Sequence, residues 1–197
     1  MNKSNLTALA AALSLAISAS AFGAVTKSEY KATKDEISAK YKTDKSGCKT
    51  MTGNAKDICI EEAKGREKVA KAELEMNYKP TDKNRHDVRM AKADSAYKVA
   101  KEKCDDQTGN AKDVCVKEAK AAHVAAKADT KVAEAKVAEK TAGAPMAMRE
   151  KTTEVKKDAA AEKRDAAYAV AKEKCDAMAG DAKSNCIKDA KARFGQS

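Results

Sequence analysis

The feature that most constrains this chain is a cysteine pattern that occurs three times within its 197 residues. In each copy, ten residues separate two cysteines and include Gly-Asn-Ala-Lys-Asp or a close variant. A tyrosine precedes the first cysteine by seven positions, and an alanine follows the second by four. Agreement at so many fixed offsets indicates three repeats of one structural unit. The cysteines are Cys48, Cys59, Cys104, Cys115, Cys175 and Cys186.

The middle copy predicts a helix, a tight turn and a second helix. Tyr97 and Cys104 lie two helical turns apart, on one face. Gly109 supplies the turn, because glycine adopts positive φ without steric cost. Asn110 is predicted to cap the next helix, with Asp113 as its capping-box partner. The equivalent turn and cap residues of the other copies are Gly53, Asn54, Gly180 and Asp181.

Folding these two helices antiparallel gives a helical hairpin. Cys104 then faces Cys115 at the corner, and the ring of Tyr97 packs against the small side chains of Ala119 and Ala122. The corresponding hairpin-packing residues elsewhere are Tyr41, Tyr168, Ala63 and Ala190.

Residues 1–24 have the layout of a secretory signal peptide. Lys3 is followed by an apolar run over residues 6–17 and then by small side chains. Cleavage is predicted after Ala21 or Ala24. The run is too short to span a membrane comfortably, so we expect no permanent membrane span after cleavage and a periplasmic or secreted mature chain. The alternative is an N-terminal helix buried in the fold.

Export places the cysteines in an oxidising compartment, where disulfides form. Because each copy carries its own pair, we predict bridges 48–59, 104–115 and 175–186. Closing each loop contributes about 3 kcal/mol in the chain-entropy model. The competing interpretation is a metal site, but the chain has no Cys-x-x-Cys and no histidine inside the pattern. We therefore expect no metal and no cofactor.

The composition favours helices without a large core. Leu74 is the only leucine outside residues 1–24, Phe194 is the only phenylalanine there, and the chain has no tryptophan. Alanine, lysine and glutamate are strong helix formers. The predicted fold class is all-α: six helices as three disulfide-stapled helical hairpins, in a thin up-down bundle or an extended chain of hairpins.

Prolines separate the predicted units. Pro80 ends the first and Pro145 opens the third, because proline disrupts a helix interior but suits its first turn. The units are residues 25–80, 81–143 and 144–197. Helices are predicted over residues 58–78, 85–104, 114–140 and 146–174, followed by a short one that ends near residue 194.

The sequence carries no recognisable catalytic constellation. It contains no Gly-rich phosphate loop, nucleophile elbow or metalloprotease motif. His86 lies among charged residues and is predicted to be a surface side chain, and His123 lies on a helix near Tyr97. Neither has a visible set of convergent partners. We therefore expect a protein that is not an enzyme.

The charge favours anionic partners. The formal net charge is +10, and removal of Lys3 with the leader leaves +9. Anionic cell-envelope components or envelope proteins are the expected partners. The competing interpretation is that lysines alternating with acids simply solvate helices. Nucleic acid is not expected, because export and the lack of a stacking aromatic set disfavour it.

Two resemblances bear on function. The Ala/Lys-rich stretch over residues 119–141 resembles the long periplasmic helix of the envelope protein TolA. The Cys-x10-Cys units with Gly-Asn-Ala-Lys-Asp resemble small exported proteobacterial proteins that are often labelled TolA-like cell-envelope proteins. The first resemblance implies a role in envelope integrity, and the second implies no particular activity.

Two functions follow as hypotheses. The first is a non-enzymatic periplasmic helical protein with a structural or interaction role in the cell envelope, in contact with anionic envelope components. The alternative is a stress-protective, holdase-like chaperone that covers unfolded clients with adaptable methionine surfaces. Its candidate methionines are Met51, Met76, Met90, Met146, Met148 and Met178.

Overall fold

The computed structural model describes residues 25–143 and 145–196. The predicted leader, residues 1–24, lies outside this part of the chain, as do both predicted cleavage positions. All regular structure in the described part is helical, which confirms the all-α prediction. Its six α-helices are α1 (Lys27–Gly47), α2 (Gly53–Tyr78), α3 (Asp82–Cys104), α4 (Gly109–Thr141), α5 (Met146–Cys175) and α6 (Gly180–Phe194), and a 3-10 turn (Cys48–Thr50) follows α1.

Three of the helices, α2, α3 and α4, begin earlier than the sequence pattern predicts, whereas α5 begins at Met146 as predicted. The helix predicted from Ile58 begins at Gly53, and the one predicted from Val114 begins at Gly109. Both glycines have a φ of 57°, which confirms their predicted turn role. After short connections at residues 105–108 and 51–52, a glycine in the left-handed region turns the chain into the next helix.

Consecutive helices run antiparallel in an open row. Within the described residues, each helix contacts only the helices next to it in sequence. The structure combines features of the two predicted arrangements: the hairpins pack side by side in up-and-down order, but the row stays open, with α1 and α6 at opposite edges. The α1–α2, α3–α4 and α5–α6 corners, which carry the three disulfides, all lie on one side of the row, at the same ends of the antiparallel helices. The connections at Pro80 and Pro145 lie on the other side.

The three predicted disulfides are present, each joining the C-terminal end of one helix to an early turn of the next. The Cα atoms of the bonded cysteines are 5.7, 5.6 and 5.6 Å apart, within the usual range. The first cysteine of each pair is buried. The pairs are Cys48–Cys59, Cys104–Cys115 and Cys175–Cys186.

The buried apolar side chains are mostly alanine. Ala63, Ala119 and Ala190, the predicted hairpin-packing alanines, are all buried. Leu74 is the only bulky aliphatic side chain among the buried residues of the described part. Small interior side chains let helix backbones approach closely but bury little apolar area per residue. The other buried apolar residues besides the cysteines are Ala91, Ala93, Ala128 and Ala159.

The three predicted packing tyrosines, Tyr41, Tyr97 and Tyr168, are half-buried. The packing partner predicted for Tyr97 needs one correction. Ala122 is exposed, and the ring of Tyr97 stacks on His123 instead. The larger side chain lies one position further along the same helix and offers a flat surface, which alanine does not.

The predicted capping role of Asn54, Asn110 and Asp181 is wrong. Helices α2, α4 and α6 begin without a side-chain cap, because these residues are already second in their helices. A capping residue must precede the first turn in extended conformation. The Asn54 amide instead donates to the Glu102 carbonyl of α3 at 2.9 Å. The Asn110 amide donates to the Glu173 carbonyl of α5 at 3.0 Å.

Candidate ligand groove on the fourth helix

One face of α4 carries a stripe of lysines. Lys117, Lys120, Lys127 and Lys131 follow one another with Val124 in the middle. Their steps of three and four residues bring all five side chains to one face of a helix. The five residues line a single groove between α4 and α5, of about 710 Å³.

The floor of this groove is apolar and aromatic. Ala121 on α4 and Ala166 and Ala169 on α5 line it, and Tyr97 reaches it from α3. The rings of Tyr97 and His123 stack with centroids 4.8 Å apart and planes 12° apart. Stacked rings present a rigid, flat surface on which an apolar part of a ligand could lie.

His123 is held in place by a contact that crosses three helices. Its Nε2 lies 2.8 Å from a carboxylate oxygen of Asp94 on α3. The other Asp94 oxygen accepts a hydrogen bond from Lys68 on α2 at 2.7 Å. Partial burial acts to raise the pKa of Asp94, but these two hydrogen bonds outweigh it and hold the pKa below the ordinary value of 3.8. Asp94 is therefore a charged anchor for the histidine at neutral pH.

The lysines of the groove differ in their partners. Lys131 pairs with Glu162 at 2.6 Å, and Lys117 lies 3.8 Å from Glu173. For the exposed Lys120 and Lys127, no carboxylate in the described part of the chain lies within salt-bridge distance. These two ammonium groups can therefore bind an anion without first breaking an ion pair.

The residue that stacks on the tyrosine in this groove, eight positions after the second cysteine, differs between the units. It is His123 in unit 2, Glu67 in unit 1 and Phe194 in unit 3. In unit 3, Tyr168 and Phe194 have ring centroids 6.4 Å apart, tilted by 58°. In unit 1, the Lys45 ammonium lies over the ring of Tyr41 at 5.9 Å.

The two histidines of the chain are not brought together. His86 lies near the surface, as predicted, and pairs with Glu134 across α3 and α4. It lines a separate groove of about 330 Å³ with Arg85 and Arg89. Within residues 25–143 and 145–196, no group of three or more His, Cys, Asp or Glu side chains is placed to hold a metal ion.

The lysine stripe and the Asp94 anchor were not identified from the sequence. The stripe has a signal, since the spacing of Lys117, Lys120, Lys127 and Lys131 is visible once α4 is known to be one helix. Asp94 has none, because its contact with His123 depends on how two helices are rotated against each other.

No known protein family, curated protein or solved structure matches the chain. None of the helices in the described part is both long and apolar enough to cross a membrane.

Proposed function

We propose that the protein is a non-enzymatic interaction protein of the cell envelope, and that the groove on α4 binds an anionic envelope component. The single observation that supports this most strongly is the pair of lysines, Lys120 and Lys127, at the rim of a groove with an apolar, aromatic floor. The ligand that fits has a phosphate or carboxylate and an apolar part beside it.

Charge supports the same proposal. The whole chain is basic, with a formal net charge of +10, so long-range attraction favours the approach of anionic polymers and surfaces. The groove then gives this attraction a defined place. Asp165 also lines the groove, but it accepts a hydrogen bond from the Gln196 amide at 2.7 Å, which partly satisfies that carboxylate.

An oxidising compartment is compatible with the three disulfides. Together with the predicted leader over residues 1–24, it supports a periplasmic or secreted location. The resemblance to TolA-like envelope proteins is consistent with such a place and remains a hypothesis.

A binding measurement with two probes tests the proposal. Vesicles that contain anionic phospholipid and a soluble acidic polysaccharide carry the same charge chemistry from two sources. We expect one of them to bind the disulfide-bonded chain. The double variant Lys120→Gln/Lys127→Gln should weaken that binding roughly tenfold or more at low salt, since each lysine near an anionic surface contributes about 1 kcal/mol.

The matched control is Lys156→Gln/Lys157→Gln, which removes the same charge from exposed positions of α5 outside the groove. It should change the affinity less than about threefold, by long-range attraction alone. Equal weakening by the two double variants would show non-specific charge attraction and contradict a site. Binding of neither probe would contradict the proposal altogether.

A holdase-like chaperone is the second candidate, and exposed methionines favour it. Met51 and Met178 occupy equivalent places at the corners of units 1 and 3 and are 43% and 47% exposed, and Met146 is 79% exposed. Met76, Met90 and Met148 are half-buried. Suppression of client aggregation that is lost in Met51→Ser/Met178→Ser would favour this function over the anion-binding one.

A further inference from the structure

The contact between neighbouring units is itself repeated. Asn54 of unit 1 donates to the Glu102 carbonyl of unit 2 at 2.9 Å, and Asn110 of unit 2 donates to the Glu173 carbonyl of unit 3 at 3.0 Å. Each asparagine follows the turn glycine of its unit, and each carbonyl belongs to the second residue before the next unit's first cysteine. The two junctions therefore use the same residue positions.

A second link repeats in the same way. Glu62 of α2 pairs with Lys103 of α3 at 3.5 Å, and Glu118 of α4 pairs with Lys174 of α5 at 2.7 Å. Each glutamate lies three residues after its unit's second cysteine, and each lysine directly precedes the next unit's first cysteine. One unit thus presents an amide and a carboxylate, and the next presents a carbonyl and an ammonium group.

The helices at both junctions meet through small side chains. A Cβ atom added at Gly65 would lie 3.0 Å from the Cβ of Ser95, so α2 and α3 approach closely there. The equivalent positions on α4 and α5 are Ala121 and Ala166, which line the same groove. Donor, ion pair and small-residue contact together form one directional interface, which we call the unit junction.

At the two edges of the row, α1 and α6 each have one outer face that contacts no other helix of the described chain. The residues at the junction positions of these two helices differ from those at the unit junctions. On α6 the position of the asparagine is occupied by Asp181, whose side chain has no N–H group to donate. A carboxylate there would oppose the carbonyl oxygens at the C-terminal end of a docking helix. On α1 the position of the lysine is occupied by Gly47, which lacks the ammonium group.

The α1 face carries a further mismatch. Where α3 and α5 have the small residues Ala100 and Ala171, α1 has Asp44. This carboxylate accepts hydrogen bonds from Arg66 at 3.1 Å and from Lys40 at 3.4 Å within its own unit. Docking of another unit would bury part of this charged cluster, at a cost in desolvation.

We infer that the unit junction is a directional docking interface and that Asp181, Gly47 and Asp44 close it at the two edges of the row. The partner that the junction fits is another hairpin unit of the same pattern. A second copy of this chain presents mismatched residues on both edges, so copies do not add to one another head to tail. Repeat proteins commonly protect their outer faces in this manner.

The internal half of the inference is tested by moving the edge residue into a junction. Asn110→Asp should raise the amide hydrogen-exchange rates over residues 168–186 about tenfold, because a hydrogen bond is replaced by a charge facing a carbonyl. Asn77→Asp makes the same chemical change at an exposed position of α2, outside that range, and should leave those rates unchanged. Equal rates in the Asn110→Asp variant and the unaltered chain would overturn the inference.

The role of the edge residues in preventing association is tested by replacing them on α1 and α6 together. The triple variant Asp44→Ala/Gly47→Lys/Asp181→Asn restores the junction residues, and sedimentation velocity should show association that rises with concentration. We expect the association constant to increase at least tenfold over the unaltered chain.

A control variant with the same change of net charge is Thr153→Lys/Glu154→Gln/Asp158→Asn, at exposed positions of α5. It should sediment as the unaltered chain does. A triple edge variant no more associated than this control would overturn the inference. So would head-to-tail association of the unaltered chain that crosslinks α6 of one copy to α1 of the next.

Discussion

The corners of the hairpins and the junctions between them are held together by different means. Each corner has a disulfide, and its two helices share the less extensive contacts of the fold. The junction pairs, α2 with α3 and α4 with α5, are joined by no disulfide and make the most extensive helix contacts. Covalent bonds therefore lie where helix packing is thinner, and small residues with polar links suffice where two long helices run side by side.

This difference has an energetic reason. A bridge that closes a loop of about a dozen residues contributes about 3 kcal/mol, largely by restricting the unfolded chain. A single hydrogen bond such as that from Asn54 to the Glu102 carbonyl contributes about 1 kcal/mol. Junctions need several such links along a helix pair, whereas a corner can rely on one bond.

The largest effect should come from breaking a corner. Cys104→Ser/Cys115→Ser should destabilise unit 2 by about 3 kcal/mol, while most of the helical circular dichroism remains, since Ala, Lys and Glu favour helix locally. Hydrogen exchange should rise at the α3–α4 corner more than at the α4–α5 junction. Loss of all helical signal in one cooperative step would contradict the contrast between corners and junctions.

A smaller effect should come from forcing a junction apart. Gly65→Leu places a large side chain against Ser95, where even a Cβ would lie 3.0 Å from the Cβ of Ser95. We expect a loss of about 2 kcal/mol in the free energy of unfolding, as for other overpacked interiors. Denaturant unfolding followed by circular dichroism measures it.

Gly47→Ala is the control for that experiment. No atom lies within 4 Å of a Cβ built at Gly47, and its backbone is right-handed helical with φ of −59°. The variant should be as stable as the unaltered chain or slightly more stable. Similar losses for both variants would show that glycine itself, not the close approach of α2 and α3, is required.

The smallest effect should be a pH dependence at the contact of Asp94 with Lys68 and His123. The pKa of Asp94 in the folded chain lies below its ordinary value of 3.8. Its contribution to the free energy of unfolding is therefore complete above about pH 4 and is lost as the pH falls through that lowered pKa. For this partly exposed group we expect less than about 1 kcal/mol. The difference in unfolding free energy between the unaltered chain and Asp94→Asn, measured from pH 6 to pH 3, should shrink only below about pH 4. A difference that does not change with pH would contradict the assigned ionisation.

The sequence predicts the hairpins well because their determinants are local. Cys104, Gly109 and Cys115 lie within one turn region, so spacing and backbone freedom suffice to place the bridge and the reversal. The role of Asn110 was mispredicted because its partner, the carbonyl of Glu173, is 63 residues away. Only the register between α4 and α5 brings the two groups together.

The start of α1, by contrast, is determined locally. In the capping box of α1, the side chains of Thr26 and Glu29 accept hydrogen bonds from each other's backbone N–H groups, and this pair has the local sequence signature of a helix start. The junction residues could also be recognised from the repeats once aligned, because Lys103 and Lys174 correspond while unit 1 has Gly47 instead. Which helix faces meet, however, follows from tertiary packing and not from any single repeat.

The most direct test of the open row is the distance between α1 and α6. Nitroxide labels attached through unnatural amino acids at Lys42 and Lys188, both exposed, leave the three disulfides intact. Five helix-to-helix steps of about 8–10 Å predict a separation of about 30–50 Å by pulsed electron paramagnetic resonance. A narrow distribution in that range would agree with a row whose helices contact only their sequence neighbours. A separation of about 15 Å or less would place α1 beside α6 in a closed bundle and contradict the account.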